Sequence, residues 1–163
     1  NSSAFASEQV QAFFLVQEGL ELAEKARDEL LLKNFLPPTD SNYVADPWGD
    51  FMDSGPTGPY RHCYSNGCGL EWNTNGTDLA TVLSCATVAT CKLNYKASAN
   101  RSKFTYSTVG LFETTPFTRI IRFIPHGNNA VEIRSEVTWR SGSLIAQQKV
   151  EAQTFLYNIY ATP

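Results

Sequence analysis

From Ser7 to Leu36 the chain holds no proline and a single glycine, and it is dense in Glu, Ala, Leu, Gln and Lys, which are strong helix formers. This predicts one helix of about eight turns. Ser7, ahead of Glu8, supplies a start, and Asn34 with the Pro37-Pro38 pair supplies a stop, since proline lacks an N–H and restricts the residue before it. At about 100° per residue, Ala12, Leu15, Val16, Gly19, Leu22, Ala23, Ala26 and Leu30 line up as one apolar stripe. Gln17, Glu21, Glu24, Lys25 and Asp28 fall opposite, with Glu21 and Lys25 at the favourable i, i+4 spacing. Val10, Phe13, Phe14 and Leu20 lie off the stripe and carry apolar surface round the first half of the helix. Such a segment needs a second cover, either an embracing loop or something outside its own domain.

The last third of the chain has a different period. Phe117 to Ile124 and Ala130 to Arg140 flank a Pro125-His-Gly-Asn-Asn129 turn, the pattern of a hairpin. Val131, Ile133, Val137 and Trp139 alternate with Glu132, Arg134, Glu136, Thr138 and Arg140, so one face is expected in the core and one in water. Ser141-Gly142-Ser143 turns the chain into Leu144, Ala146, Gln148 and Val150 on one face, which completes a three-strand meander. Shorter strands are expected at Leu70 to Trp72, Leu79 to Ser84, Lys92 to Tyr95 and Phe104 to Ser107. A helix stripe laid on an antiparallel sheet makes the predicted class α+β with one core. Residues 1–36 form the helix, and residues 37–163 form the loop and sheet region packed on it, one domain overall.

Between helix and strands, residues 39–61 are rich in Pro, Gly, Asp and Asn, with Tyr43, Trp48, Phe51, Met52 and Tyr60 spaced through them. Aromatics pinned against the body make this a compact loop. Tyr43, Trp48, Phe51 and Tyr60 are also its candidates for gripping a ligand. Asp40, Asp46, Asp50 and Asp53 raise a calcium reading, but their spacing is not that of the usual calcium loop, and turns favour Asp.

Composition narrows the function. The 163 residues, 42% hydrophobic, suffice for one ordinary domain. A net charge of −3 gives no overall footprint for a polyanion binder. No run of apolar residues is long enough to span a bilayer. Cys63 with Cys68 and Cys85 with Cys91 form two close pairs; their even count and lack of C-x-x-C spacing favour two disulfides over a metal site, and an oxidising compartment. Asn75-Gly76-Thr77 and Asn100-Arg101-Ser102 match the glycosylation acceptor pattern, which is too short to carry weight. Only His62 and His126 are available as histidine acid/base groups, and neither lies in a nucleophile, zinc or phosphate motif. The expectation is a protein without catalytic residues, cofactor or metal, and the helix acids Glu18, Glu21, Glu24, Asp28 and Glu29 read as a solvated face.

Gln11-Ala-Phe-Phe-Leu-Val-Gln-Glu-Gly-Leu-Glu-Leu22 followed by Arg27-Asp28, with Phe117-Thr-Arg-Ile-Ile121 and Val131-Glu-Ile-Arg-Ser-Glu-Val-Thr-Trp139, resembles the extracytoplasmic part of type IV pilins and pseudopilins. The likeness is to prepilin-like proteins of small-genome, candidate-phylum bacteria. It covers both ends of the chain and leaves the middle unmatched. The resemblance places the family's processing site, N-terminal Phe and early acidic residue upstream of Asn1, so that this chain opens partway along the first helix. Many pilins bracket a C-terminal loop with cysteines, whereas both pairs here are central.

The resemblance implies a helical polymer of copies of this chain and other pilins, with Val10, Phe13, Phe14 and Leu20 buried by neighbouring subunits and the stripe holding the sheet. Its implied setting is an extracellular, cell-surface filament, drawn from an inner-membrane pool anchored by the upstream segment and handled by a pilus assembly machinery. Outward loops would then serve adhesion to a host cell or surface ligand, motility or DNA uptake. The alternatives are a minor or tip subunit, or a monomeric extracellular binding module, using the aromatic loop from Tyr43 to Tyr60. A hydrolase built on His62 or His126 is a third reading.

Overall fold

The computed structural model describes residues 2–99, 101–141 and 146–159, with side chains from Ala6 onward. Helix α1 runs Ser2–Lys33, one turn earlier than expected, since Ser2 to Ala6 contain neither proline nor glycine to stop it. At the far end the N–H groups of Asn34, Phe35 and Leu36 bond three residues back, to Leu31, Leu32 and Lys33. The last turn tightens before Pro37. The Asn34 side-chain amide then donates to the carbonyls of Val44 (3.0 Å) and Ala45 (3.4 Å), tying the returning loop to the helix end.

That loop is more structured than its composition indicates. It carries helix α2 (Pro47–Met52), N-capped by Asp46, whose carboxylate accepts from Gly49 N–H at 3.0 Å. Helix α3 (Arg61–Tyr64) follows. Trp48, Phe51 and Tyr60 are buried, and Phe51 stacks at a tilt on Phe123 of the sheet, centroids 5.2 Å apart. Trp48 Nε1 donates to the Asn128 carbonyl at 2.7 Å, clamping the loop to the hairpin turn.

Seven strands follow among the described residues: β1 (Cys68–Gly69), β2 (Leu83–Ser84), β3 (Lys92–Lys96), β4 (Lys103–Thr105), β5 (Glu113–Pro125), β6 (Ala130–Trp139) and β7 (Gln148–Tyr157). All pairings are antiparallel. β5, β6 and β7 form the expected meander, in continuous register from Thr118↔Thr138 to Pro125↔Val131 and from Ala130↔Tyr157 to Trp139↔Gln148. The other edge of β5 is shared: β3 takes its first half and β1 its second, with β4 and β2 outside them. Register shifts between Lys92 and Asn94, opposite Pro116, which has no N–H for the ladder. The Thr115 hydroxyl donates to the Leu93 carbonyl nearby.

Of the shorter strand expectations, Lys92 to Tyr95 and Phe104 to Ser107 are met by β3 and β4, while those at Leu70 to Trp72 and Leu79 to Ser84 are corrected. The chain pairs at Cys68–Gly69 and Leu83–Ser84, and the Trp72 and Leu79 regions meet only in one isolated bridge. Of the turn into β7, Gly142, Ser143 and Leu144 lie outside the described residues.

The stripe is the inner layer. Ala12, Leu15, Val16, Leu22, Ala23, Ala26 and Leu30 are buried, as are Val131, Ile133, Val137 and Trp139 on the facing strand. The core has two lobes. One joins Leu22 to Leu30 with Phe51, Cys63, Phe123 and Ile133; the other joins Ala12 to Val16 with Cys91, Leu93, Phe117 and Trp139. Gly19 lies between them in sequence, where the helix backbone passes close against Ser135 of β6. A Cβ added there would stand 2.2 Å from the Ser135 hydroxyl oxygen.

Candidate functional site

The outward face of α1 is defined by residues the core cannot use. Val10, Phe13 and Phe14 are 69%, 53% and 57% exposed. Counted at about 100° per residue they share one stripe, on the side opposite Ala12, Leu15, Val16 and Gly19. Further along, the same side carries Gln17, Glu21 and Glu24, all exposed. The outward apolar surface is thus concentrated in the first half of the described helix, with Leu32, 62% exposed, adding an apolar residue on the same side in the last turn. Leu20 is corrected: it is half-buried against the core lobe formed by Leu22, Phe51 and Phe123, because its position is on the flank of the helix.

Between the two lobes lies a charged centre that the sequence reading did not find. Arg119 is fully buried at an inward position of β5. Its Nη1 donates to Glu18 Oε1 at 2.7 Å and to the Leu15 carbonyl at 3.1 Å, its Nη2 to the Leu70 carbonyl at 2.9 Å, and its Nε to the Tyr106 hydroxyl at 3.2 Å. Burial works against the charge, but Tyr106 and Glu18 outweigh it and hold the guanidinium protonated well above its ordinary range. Burial likewise raises the Tyr106 hydroxyl, with Arg119 pulling the other way. This centre joins α1, β5, the segment after β1 and the segment after β4, so its chemistry is structural.

Glu18 therefore does not belong to a solvated face. Glu29 departs from it as well, accepting from Leu79 N–H at 3.0 Å and pairing with Lys25 at 3.9 Å, so that Lys25 pairs with Glu29 rather than with Glu21. Arg119 was legible in principle. It has the parity of Phe117, Ile121 and Phe123, all buried, and an arginine at such a position needs an acid across the layer.

The remaining sequence candidates sort by burial. Trp48, Phe51 and Tyr60 are core, so the loop cannot present them to a ligand, and Tyr43 alone of that set is half-exposed. Their burial follows from the hydrophobic gain of large rings against Phe123. The disulfides are Cys63–Cys68 and Cys85–Cys91, all four sulfurs in buried residues. Asp40, Asp46 and Asp53 accept from backbone N–H groups two or three residues on, which is turn and cap duty; burial, then Asp46 and Asp53, raises the Asp50 carboxyl. Among the described residues no three His, Cys, Asp or Glu side chains are grouped to hold a metal ion. His126 Nε2 meets Glu132 Oε1 at 2.9 Å on the outer side of the hairpin, where Arg134 also bonds Glu132. No helix of the described residues is long and apolar enough to cross a membrane.

Comparison with known proteins returns no match: no family model, no curated protein and no solved structure is significantly similar to this chain.

Proposed function

We propose that the chain is a pilin-like structural subunit of an extracellular filament, polymerising through α1. The observation that carries this reading is the outward stripe of Val10, Phe13 and Phe14 on a helix whose other face is filled by its own sheet. A solvent-exposed pair of phenylalanines beside a valine favours burial by about 25 cal/mol per Å² of apolar surface, and the described residues of the domain leave them uncovered. Copies stacked helix to helix supply that cover. Such a heterologous contact does not close on itself and extends into a helical polymer. The outer face of β5, β6 and β7, with Arg122, Glu136, Lys149 and Glu151 in a chain of ion pairs, suits the water-facing side of a fibre. The two disulfides accord with an oxidising location.

In this reading the subunit has no catalytic residue and no cofactor. Its partners are other copies, other pilins and an assembly machinery, and before assembly it is held at the inner membrane by an apolar segment encoded upstream of Asn1. Adhesion, motility or DNA uptake would fall to the outward loops. The binding-module reading built on Tyr43 to Tyr60 loses its main side chains to the core and is not carried forward.

The test is Phe13→Glu with Phe14→Glu in the full-length gene. Fibres counted by electron microscopy should disappear while the isolated ectodomain keeps its circular dichroism spectrum. Abundant fibres from the double variant would overturn the core role of α1.

A further inference from the structure

Residues 92–103 contain Lys92, Lys96, Arg101 and Lys103 and no acid, in a chain whose net charge is −3. Folding concentrates this charge. Lys96 and Lys103 are direct cross-strand partners in the β3–β4 register, and like charges placed opposite each other destabilise a sheet. Lys103 is partly compensated: its Nζ donates to the Trp72 carbonyl at 2.9 Å and reaches Glu71 at 3.5 Å. Neither Lys96 nor Arg101 has an ion-pair partner among the described residues.

The three cations line one cavity of about 590 Å³ with Thr74, Asn75 and Ser98, which lies in the size range of small-molecule sites. Its walls are held in place. The 73–78 turn closes on the Asn73 carboxamide oxygen, which accepts from Thr77 N–H at 3.2 Å and Asp78 N–H at 3.4 Å. At the turn's tip Gly76 has φ +69°, and the Arg101 guanidinium rests where a Cβ would be, its Nη1 2.0 Å from that position. Glycine is favoured there by the backbone angle.

We infer that this cavity between the 73–78 turn and the β3–β4 hairpin is a binding site for an acidic saccharide, a sugar bearing a phosphate or sulfate ester. The ester faces Lys96 and Arg101, relieving the repulsion between Lys96 and Lys103. The hydroxyls of Thr74 and Ser98 and the Asn75 amide meet sugar hydroxyls. None of the six described lining residues is aromatic, so they offer no platform on which to stack a base, which sets a nucleotide aside. The volume far exceeds a lone ion. This inference is independent of the filament reading.

The experiment is a titration of the ¹⁵N-labelled chain with glucose 6-phosphate, glucose 6-sulfate, glucose and inorganic phosphate. Both esters, or one of them if the site selects between phosphate and sulfate, should shift amides in 73–78 and 96–103 and bind at least about tenfold tighter than glucose or inorganic phosphate. Lys96→Ala with Arg101→Ala should weaken ester binding by about tenfold or more, while Lys33→Ala at the end of α1 leaves it unchanged. Added salt should weaken it too. Equal binding of inorganic phosphate would mean a site for a bare ion and overturn the saccharide assignment. Shifts elsewhere, or none, would overturn the site, with unchanged thermal melts showing that the variants remain folded.

Discussion

Glu18 on α1 and Arg119 on β5 form an ion pair at 2.7 Å in which the arginine is wholly enclosed and the acid only one-fifth exposed. The pair fastens the helix to the sheet between the two lobes of the core. Its desolvation is offset by the carbonyls of Leu15 and Leu70 and the Tyr106 hydroxyl, which accept from three of the other four N–H groups.

Removing one partner should therefore cost more than removing both. Glu18→Leu leaves a buried cation with only neutral acceptors, and a loss of about 3–5 kcal/mol is expected. Glu18→Leu combined with Arg119→Met should recover a large part of it. Urea unfolding of the two singles and the double checks this, and additive losses would contradict it.

The close approach of Gly19 to Ser135 yields a second prediction. Gly19→Ala puts a methyl 2.2 Å from the Ser135 hydroxyl oxygen, so it should destabilise by about 1–3 kcal/mol through overpacking, although alanine is the better helix former. Because that hydroxyl is buried without a hydrogen-bond partner, Ser135→Gly should relieve most of the clash. Melting temperatures of the two singles and the double decide whether the clash is the cause.

Phe51 should behave as a core residue. Phe51→Ala is expected to cost about 3–5 kcal/mol, lowering the denaturant midpoint. Tyr43→Ala, half-exposed in the same loop, should change it by less than about 0.5 kcal/mol. A near-neutral Phe51→Ala would mean that the loop is not seated on Phe123.

Each disulfide closes a short loop, with sequence separations of 5 and 6. Chain entropy then gives about 2 kcal/mol apiece. Guanidinium unfolding of Cys63→Ala with Cys68→Ala, and separately of Cys85→Ala with Cys91→Ala, should show losses of that order.

The pH profile has two expected limits. Tyr60, Tyr64 and Tyr106 are raised by burial, Tyr60 with a further push from Glu29. A raised folded value means that their contribution is complete below the unfolded value of about 10 and is lost as pH rises past it. Absorbance near 295 nm should show these three ionising only together with alkaline unfolding. At the acid end, the hydrogen bond from Arg134 first, then that from His126, holds the Glu132 carboxyl below the ordinary glutamate range. That contribution is present above the unfolded value and disappears as pH falls through the folded one. The difference in melting temperature between the parent and Glu132→Gln should therefore vanish in acid.

The periodicities alone determined the long helix, its buried stripe, the β5–β6 hairpin with its inward residues, and the α+β class, because 3.6-residue and two-residue repeats are local properties of the chain. Cysteine count and spacing indicated two disulfides, and their connectivity, Cys63–Cys68 and Cys85–Cys91, came from the structure. Tertiary structure decided the rest. Whether Leu20 faces water, whether loop aromatics grip a ligand or fill the core, and which acid serves Arg119 depend on which surfaces meet across the layer. The cationic cavity likewise joins residues 74–75 to residues 96–103 across a hairpin and a turn. Those meetings are long-range, and no window of sequence contains both sides of them.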